Sequence, residues 1–166
     1  VKPDLNDFGI VGQRVPVIDL EKCRGCGKCQ VSLACPVGAS QVVDGKLVID
    51  PGECNNCGRC VGKCPFKAAQ ESTYGYRVYI GGRWGKRVAH GRKLEKIFLS
   101  EEEVLSVLEK AILLFREQGK TGERFADTID RIGFENVQEQ LMSDEILKFK
   151  DQILNAKMHM EGGATC

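Results

Sequence analysis

Eight of the nine cysteines in this 166-residue chain fall between Cys23 and Cys64, in two runs that share one spacing. The first run is Cys23-Arg-Gly-Cys26-Gly-Lys-Cys29, followed after five residues by Cys35-Pro36. The second is Cys54-Asn-Asn-Cys57-Gly-Arg-Cys60, followed after three residues by Cys64-Pro65. The likeness extends beyond the thiols. Ile18-Asp19 precedes Cys23 by the interval at which Ile49-Asp50 precedes Cys54, and Pro36–Ala39 matches Pro65–Ala68. The segment is an internal duplication with two extra residues in its first copy.

Three thiolates at this spacing wrap a loop around three irons of a cubane, and the fourth iron takes a ligand from elsewhere. In two-cluster arrangements the Cys-Pro cysteine serves the opposite cluster. The spacing therefore assigns Cys23, Cys26, Cys29 and Cys64 to a cluster I, and Cys54, Cys57, Cys60 and Cys35 to a cluster II. Gly25, Gly27 and Gly58 leave room for N–H groups to approach sulfur. Pro36 and Pro65 fix the backbone beside each crossing ligand.

Other uses of cysteine fit less well. Zinc sites favour paired Cys-x2-Cys knuckles, often with histidine, whereas each triplet here leaves a surplus thiol and His90 and His159 are remote in sequence. Disulfides suit secreted chains, nothing here reads as an export signal, and cysteines three apart are poor partners for one another. Cys166 has no neighbouring thiol and receives no role. The expectation is two [4Fe-4S] clusters, with a zinc-stabilised interaction module as the alternative chemistry.

Between the two runs, Asp44-Gly45 is flanked by β-branched residues, a two-residue hairpin signal. Residues 14–72 thus read as strand, cysteine loop, short helix, hairpin, cysteine loop and short helix, a bacterial-type ferredoxin module. Residues 20–68 carry seven basic side chains against four acidic ones. These cations either offset the negative charge of loaded clusters or dock an acidic donor, and charge compensation is the simpler reading. The formal net charge of the whole chain is +1, which argues against a general nucleic-acid binder. No apolar run approaches the ~18 residues of a membrane span. Oxygen-labile clusters and thiolates point to a reducing, anaerobic cytoplasm.

Downstream, Tyr74–Ile80 alternates like a strand and breaks into Gly81-Gly82-Arg83-Trp84-Gly85-Lys86-Arg87. Six Lys or Arg residues and no acid lie between Tyr74 and Leu94. A glycine-rich loop with forked guanidiniums suits a polyanion, although a solvated basic turn is equally compatible with the composition. The loop lacks the third glycine of a dinucleotide-binding fingerprint. Ser100 with Glu103 forms a capping box opening a helix whose stripe (Val104, Val107, Leu108, Ala111, Ile112, Phe115) reads as core, and Gly119 closes it. Shorter helices follow at Glu123–Ile132 and Glu135–Met142, split by Gly133. Ser143 or Asp144 caps a last helix to about Asn155, before a frayed tail. No nucleophile or acid stands beside either histidine, so no catalytic residue is readable.

The order of these features, from Asp7-Phe8-Gly9-Ile10-Val11-Gly12 through the cysteine module to Tyr76–Arg87, Gly122–Asp127 and Ile132-Gly133-Phe134, resembles the C-terminal part of siroheme-dependent sulfite/nitrite reductases. Within them it resembles the dissimilatory or anaerobic type that carries a ferredoxin insertion. The resemblance covers about residues 1–142. It implies that Arg83, Lys86 and Arg87 lie near siroheme carboxylates. It also implies that siroheme and a further [4Fe-4S] cluster belong to the parent enzyme only, because the cysteines that hold that cluster are absent here.

The expected fold class is α+β, with a two-cluster ferredoxin-like module inserted in a reductase half-domain. Its expected parts are 1–13 (remnant of the siroheme/cluster-binding segment), 14–72 (ferredoxin module), 73–142 (C-terminal half-domain) and 143–166 (helix and tail). The expected function is electron transfer within a sulfite or nitrite reductase, served by a redox donor protein and the remaining reductase half-domain. No nucleic acid or membrane partner is expected. The alternative is a stand-alone ferredoxin-type carrier.

Overall fold

The computed structural model describes residues 2–156; His159, Cys166 and most of the expected tail lie outside the described residues. The fold is mixed α/β and divides into two compact units. One comprises the residues up to Val11 together with those from Tyr76 onward, and the other is Gly12–Gly75. The expected module 14–72 falls within the second. Two strands, β1 (Phe8–Val17) and β4 (Glu71–Ile80), cross the division, and with β5 (Arg92–Phe98) they form a three-stranded sheet in the order β1-β4-β5.

In the first unit, β4 and β5 pair antiparallel from Tyr76↔Phe98 to Ile80↔Arg92, with a bulge between Arg77 and Tyr79. Alternation along β4 buries Val78 and Ile80 on one side, and β5 adds Leu94 and Phe98. Helix α2 (Glu101–Gln118) packs Val104, Val107, Ala111 and Leu114 into the same core. Its start follows the capping logic with one change. Ser100 Oγ accepts from the Glu103 N–H at 3.2 Å, but the Glu103 carboxylate reaches back to the N–H of Leu99, at 2.7 Å, rather than to that of Ser100.

The expected core stripe of α2 needs correcting at Ile112, which is 58% exposed. The buried face is set by residues 104, 107, 111 and 114, and Ile112 is turned about 100° from Ala111. Helices α3 (Phe125–Ile132) and α4 (Phe134–Met142) meet at Gly133, whose φ of +90° breaks the axis. The last expected helix is a 3-10 turn over Glu145–Phe149 and then a short α5 (Lys150–Asn155).

In the second unit, α1 (Gln30–Leu33) follows the first cysteine triplet, and β2 (Ser40–Val43) and β3 (Lys46–Ile49) form the expected hairpin. Asp44 and Gly45 both have positive φ, at +49° and +71°, the geometry a two-residue hairpin turn requires. The second expected short helix does not form. Only three residues separate Cys60 from Cys64, and Gly62 among them has a φ of +77°, so no helical turn closes.

Candidate metal centre

The duplication read in the sequence is also written in the backbone. Gly25 and Asn56 occupy equivalent places in the two cysteine loops, and both are left-handed, with φ of +61° and +52°. Three residues after each crossing cysteine, Gly38 and Lys67 are left-handed as well, at +71° and +60°. Each loop opens on a repeated aspartate. Asp19 Oδ1 accepts from the N–H groups of Glu21 and Lys22, and Asp50 Oδ1 accepts from Gly52 N–H at 2.8 Å. The two copies then exchange backbone bonds. Asp19 N–H donates to Ala68 and Asp50 N–H donates to Ala39, both at 2.8 Å. Ala39 and Ala68 are buried where the copies meet. The Ile-Asp repeat was visible in the sequence, but nothing there assigned the aspartates this role.

This exchange carries the end of each copy to the start of the other, and the thiols follow. Cys35, Cys54, Cys57 and Cys60 line one small cavity, with Pro16, Pro36, Ser40 and Ile49 among its walls. Burial pushes the Cys60 thiol above its ordinary pKa, and the neighbouring Cys54, Cys57 and Cys35 push it further the same way. Burial also tends to raise Cys35. The N–H groups of Val37, Ala39, Ser40 and Gly38 outweigh it and hold Cys35 below the usual thiol range. A thiol surrounded by backbone N–H groups is prepared to act as a thiolate, the form that ligates metal.

Two contacts from β1 shape the second loop. Arg14 N–H donates to Asn56 O at 2.8 Å. Gly58 gives the Arg14 side chain its space: a Cβ there, at φ +69°, would stand 2.6 Å from Arg14 Cδ.

Cys23, Cys29 and Cys64 pack against the buried apolar cluster of Val31, Leu47, Cys60 and Ala69. Cys26 is on the same loop, partly exposed and outside that cluster. The hairpin seals this loop. Leu47 N–H points at Cys23 Sγ from 3.3 Å, and Lys46 Nζ donates to the carbonyls of Leu20 at 2.8 Å and Cys23 at 3.3 Å. Cys29 is held below its ordinary pKa: burial raises it, but the N–H and hydroxyl of Ser32 and the N–H of Val31 prevail. Sequence reading counted Lys46 only among the surrounding cations and gave Leu47 no part in the site, since their contact with Cys23 depends on how the hairpin folds back.

None of the eight cysteines from Cys23 to Cys64 is joined in a disulfide. Among the described residues, no three His, Cys, Asp or Glu side chains converge closely enough to hold a single metal ion.

The three cations expected near siroheme carboxylates are placed unequally. Arg83 is largely buried and bound to Asp127 at 2.6 Å, and its Nε is buried without a hydrogen-bond partner among the described residues. Lys86 and Arg87 are exposed on the same loop. The loop itself is tied down through Gly82, where a Cβ would stand 2.2 Å from the Asp4 carbonyl, and through His90, which pairs with Asp4 at 2.6 Å. Arg124 pairs with Asp7 beside the start of α3. No helix among the described residues is long and apolar enough to cross a membrane.

Comparison with known proteins agrees with this architecture. The chain is 32% identical over 152 residues to the coenzyme F420-dependent sulfite reductase of Methanocaldococcus jannaschii, covering 88% of this chain and 24% of that protein. It is 28% identical over 112 residues to the dissimilatory-type sulfite reductase alpha subunit of Megalodesulfovibrio gigas, covering 63% of this chain and 56% of that one. The crystal structure of dissimilatory sulfite reductase I shares the fold, with a TM-score of 0.52 at 24% identity over 83% of this chain and 38% of the other. The chain thus spans about a quarter of the first of these curated relatives and just over half of the second. The model of the nitrite and sulphite reductase 4Fe-4S domain matches residues 1–149, and the chain belongs to that family.

Proposed function

We propose that the chain is the electron-transfer part of a siroheme sulfite reductase, binding two [4Fe-4S] clusters in the module 14–72. The observation that carries this reading is the meeting of Cys35 with Cys54, Cys57 and Cys60 around one cavity. A crossing ligand from the other half of a duplication is what a two-cluster module needs and a simple zinc knuckle does not. When bound, the clusters supply one-electron storage and transfer. The chain contributes two thiolate sets, N–H groups directed at Cys35 and Cys23, and an apolar surround that limits water.

Lys86 and Arg87 remain the cations best placed to meet siroheme carboxylates, while Arg83, committed to Asp127, fixes their loop. Sulfite as the substrate of the parent enzyme follows the two named reductase relatives. A reduced carrier as donor, a partner reductase half-domain and an anaerobic cytoplasmic setting complete the proposal.

The test is electron paramagnetic resonance of the anaerobically reduced full chain, with iron and sulfide counted. Coupled [4Fe-4S] signals and about eight irons per chain are expected. Cys35→Ser and Cys60→Ser are expected to remove the same signal, and Cys64→Ser the other. Zinc without iron, or loss of the cluster I signal in Cys35→Ser, overturns the assignment.

A further inference from the structure

The two thiol sets are near copies of one another in their backbone, yet their surroundings differ in charge. Within two residues of the cluster I ligands stand four cations (Lys22, Arg24, Lys28 and Lys63) and one carboxylate (Glu21). Within two residues of the cluster II ligands stand one of each, Arg59 and Glu53, and Arg14 of β1 lies against Gly58 of the same loop. Lys46 joins the first group through its bonds to the carbonyls of Leu20 and Cys23, and Lys67 follows one residue later.

All of these cations are exposed, and among the described residues only Lys22 of the set is paired with an acid, Asp19 at 2.7 Å. A bound cubane with four thiolates carries about −2, which together with Glu21 and Asp19 still leaves these six cations in excess, and it adds the same charge to both sites. Compensation alone therefore does not explain why the cations gather at one end.

The cluster I surroundings also expose apolar area. Leu20 is 50% exposed and Phe66 is 47% exposed, on the two segments joined by the Asp19–Ala68 bond. An apolar centre rimmed by charge is the composition of a protein-docking surface. The residues beside the crossing ligand of cluster II, Leu33 and Val37, are exposed and apolar but carry no charge.

We propose, on the basis of the two-cluster reading above, that the cluster I surroundings, through the cations Lys22, Arg24, Lys28, Lys63 and Lys67 and the exposed Leu20 and Phe66, dock an acidic one-electron carrier protein. Electrons therefore reach this module at cluster I. The like-charged rim speeds and orients the encounter, and the exposed leucine and phenylalanine provide the contact that survives it.

The experiment is surface plasmon resonance of the full chain, prepared anaerobically, over immobilised flavodoxin, an acidic one-electron carrier. Iron is counted on the same samples. Binding is expected at low salt and is expected to weaken at least about tenfold when ionic strength rises from about 0.02 to 0.2 M. K28E/K63E is expected to bind at least about tenfold more weakly, K28Q/K63Q to show an intermediate loss, and R59E to stay within about twofold of the parent. Should the reversal variant fail to fold, the neutral pair and R59E decide the matter alone.

Equal losses in R59E and the Lys28/Lys63 variants overturn the proposal, as does no binding at low salt. Tighter binding to basic cytochrome c, or to a 20-nucleotide single strand, does so as well. Absence of binding by iron-loaded protein sinks this inference alone, whereas protein that takes up no iron sinks the two-cluster reading beneath it.

Discussion

The backbone N–H of Asp19 donates to the carbonyl of Ala68 at 2.8 Å, joining the start of the first cysteine copy to the end of the second. Asp50 and Ala39 make the reverse connection at the same distance. Each copy is thus completed by the other, and the crossing cysteines four residues before each alanine are carried across with the chain. The pair of bonds gives a backbone reason for Cys35 to stand among Cys54, Cys57 and Cys60.

Because the copies are equivalent, their left-handed positions respond oppositely to substitution. Gly38→Ala meets open space but forces a side chain into φ of +71°, and is expected to cost about 1–2 kcal/mol. Lys67→Gly relieves the same conformation at +60° and is expected to stabilise by up to about 1 kcal/mol. Urea unfolding followed by circular dichroism checks both signs.

Gly25 lies where its loop meets the hairpin. A Cβ there would stand 2.3 Å from the Gly45 carbonyl oxygen at a φ of +61°, so backbone must move to admit it. Gly25→Ala is expected to lose cluster I while keeping cluster II. Iron analysis is then expected to give about four irons per chain, and retention of about eight would show that the contact is dispensable.

Arg83 depends on Asp127 for its only charged partner among the hydrogen bonds seen, at 2.6 Å. Asp127 is held below the usual carboxylate range, first by the Arg124 N–H and then by the Arg83 guanidinium. Removing it leaves a largely buried guanidinium unpaired. Asp127→Ala is expected to destabilise by about 1–2 kcal/mol, the lower part of the range for such a loss because Asp127 is itself one-third exposed. Urea midpoints measure the change, and Asp127→Asn is expected to recover part of it.

Glu123 has its pKa lowered to about 2, chiefly by Arg131, which holds it at 2.8 Å, with further help from the Lys120 N–H and the Thr128 hydroxyl. In the unfolded chain the group titrates near 4.3. Its contribution is therefore fully present above that value and is lost as pH falls through 4 toward 2. The gap in urea midpoint between the parent and Glu123→Gln is expected to be constant from pH 7 to 5 and to narrow by pH 3.5. A gap unchanged over that range would show that the ion pair does not hold the proton off.

Cysteine spacing made the two repeated thiol sets legible, because a loop that must offer three thiolates at fixed intervals tolerates few other uses. The Asp-Gly hairpin and the Ser100 cap were legible for the same reason: each depends on chemistry within a few residues. Ile112 on the exposed side of α2 was not, since periodicity marks an apolar stripe but not which edge of it the core covers. The missing helix after Cys60 reflects a loop three residues long, too short for a signal that five residues allowed.

The residues alone determined the duplication, its thiols and its local turns, all of which are short-range consequences of side-chain chemistry. The fold decided what meets across distance: the Asp19–Ala68 exchange, Lys46 and Leu47 against Cys23, and Arg83 turned inward to Asp127. Such contacts join residues tens of positions apart. They depend on how whole segments pack, and no periodicity or motif records that.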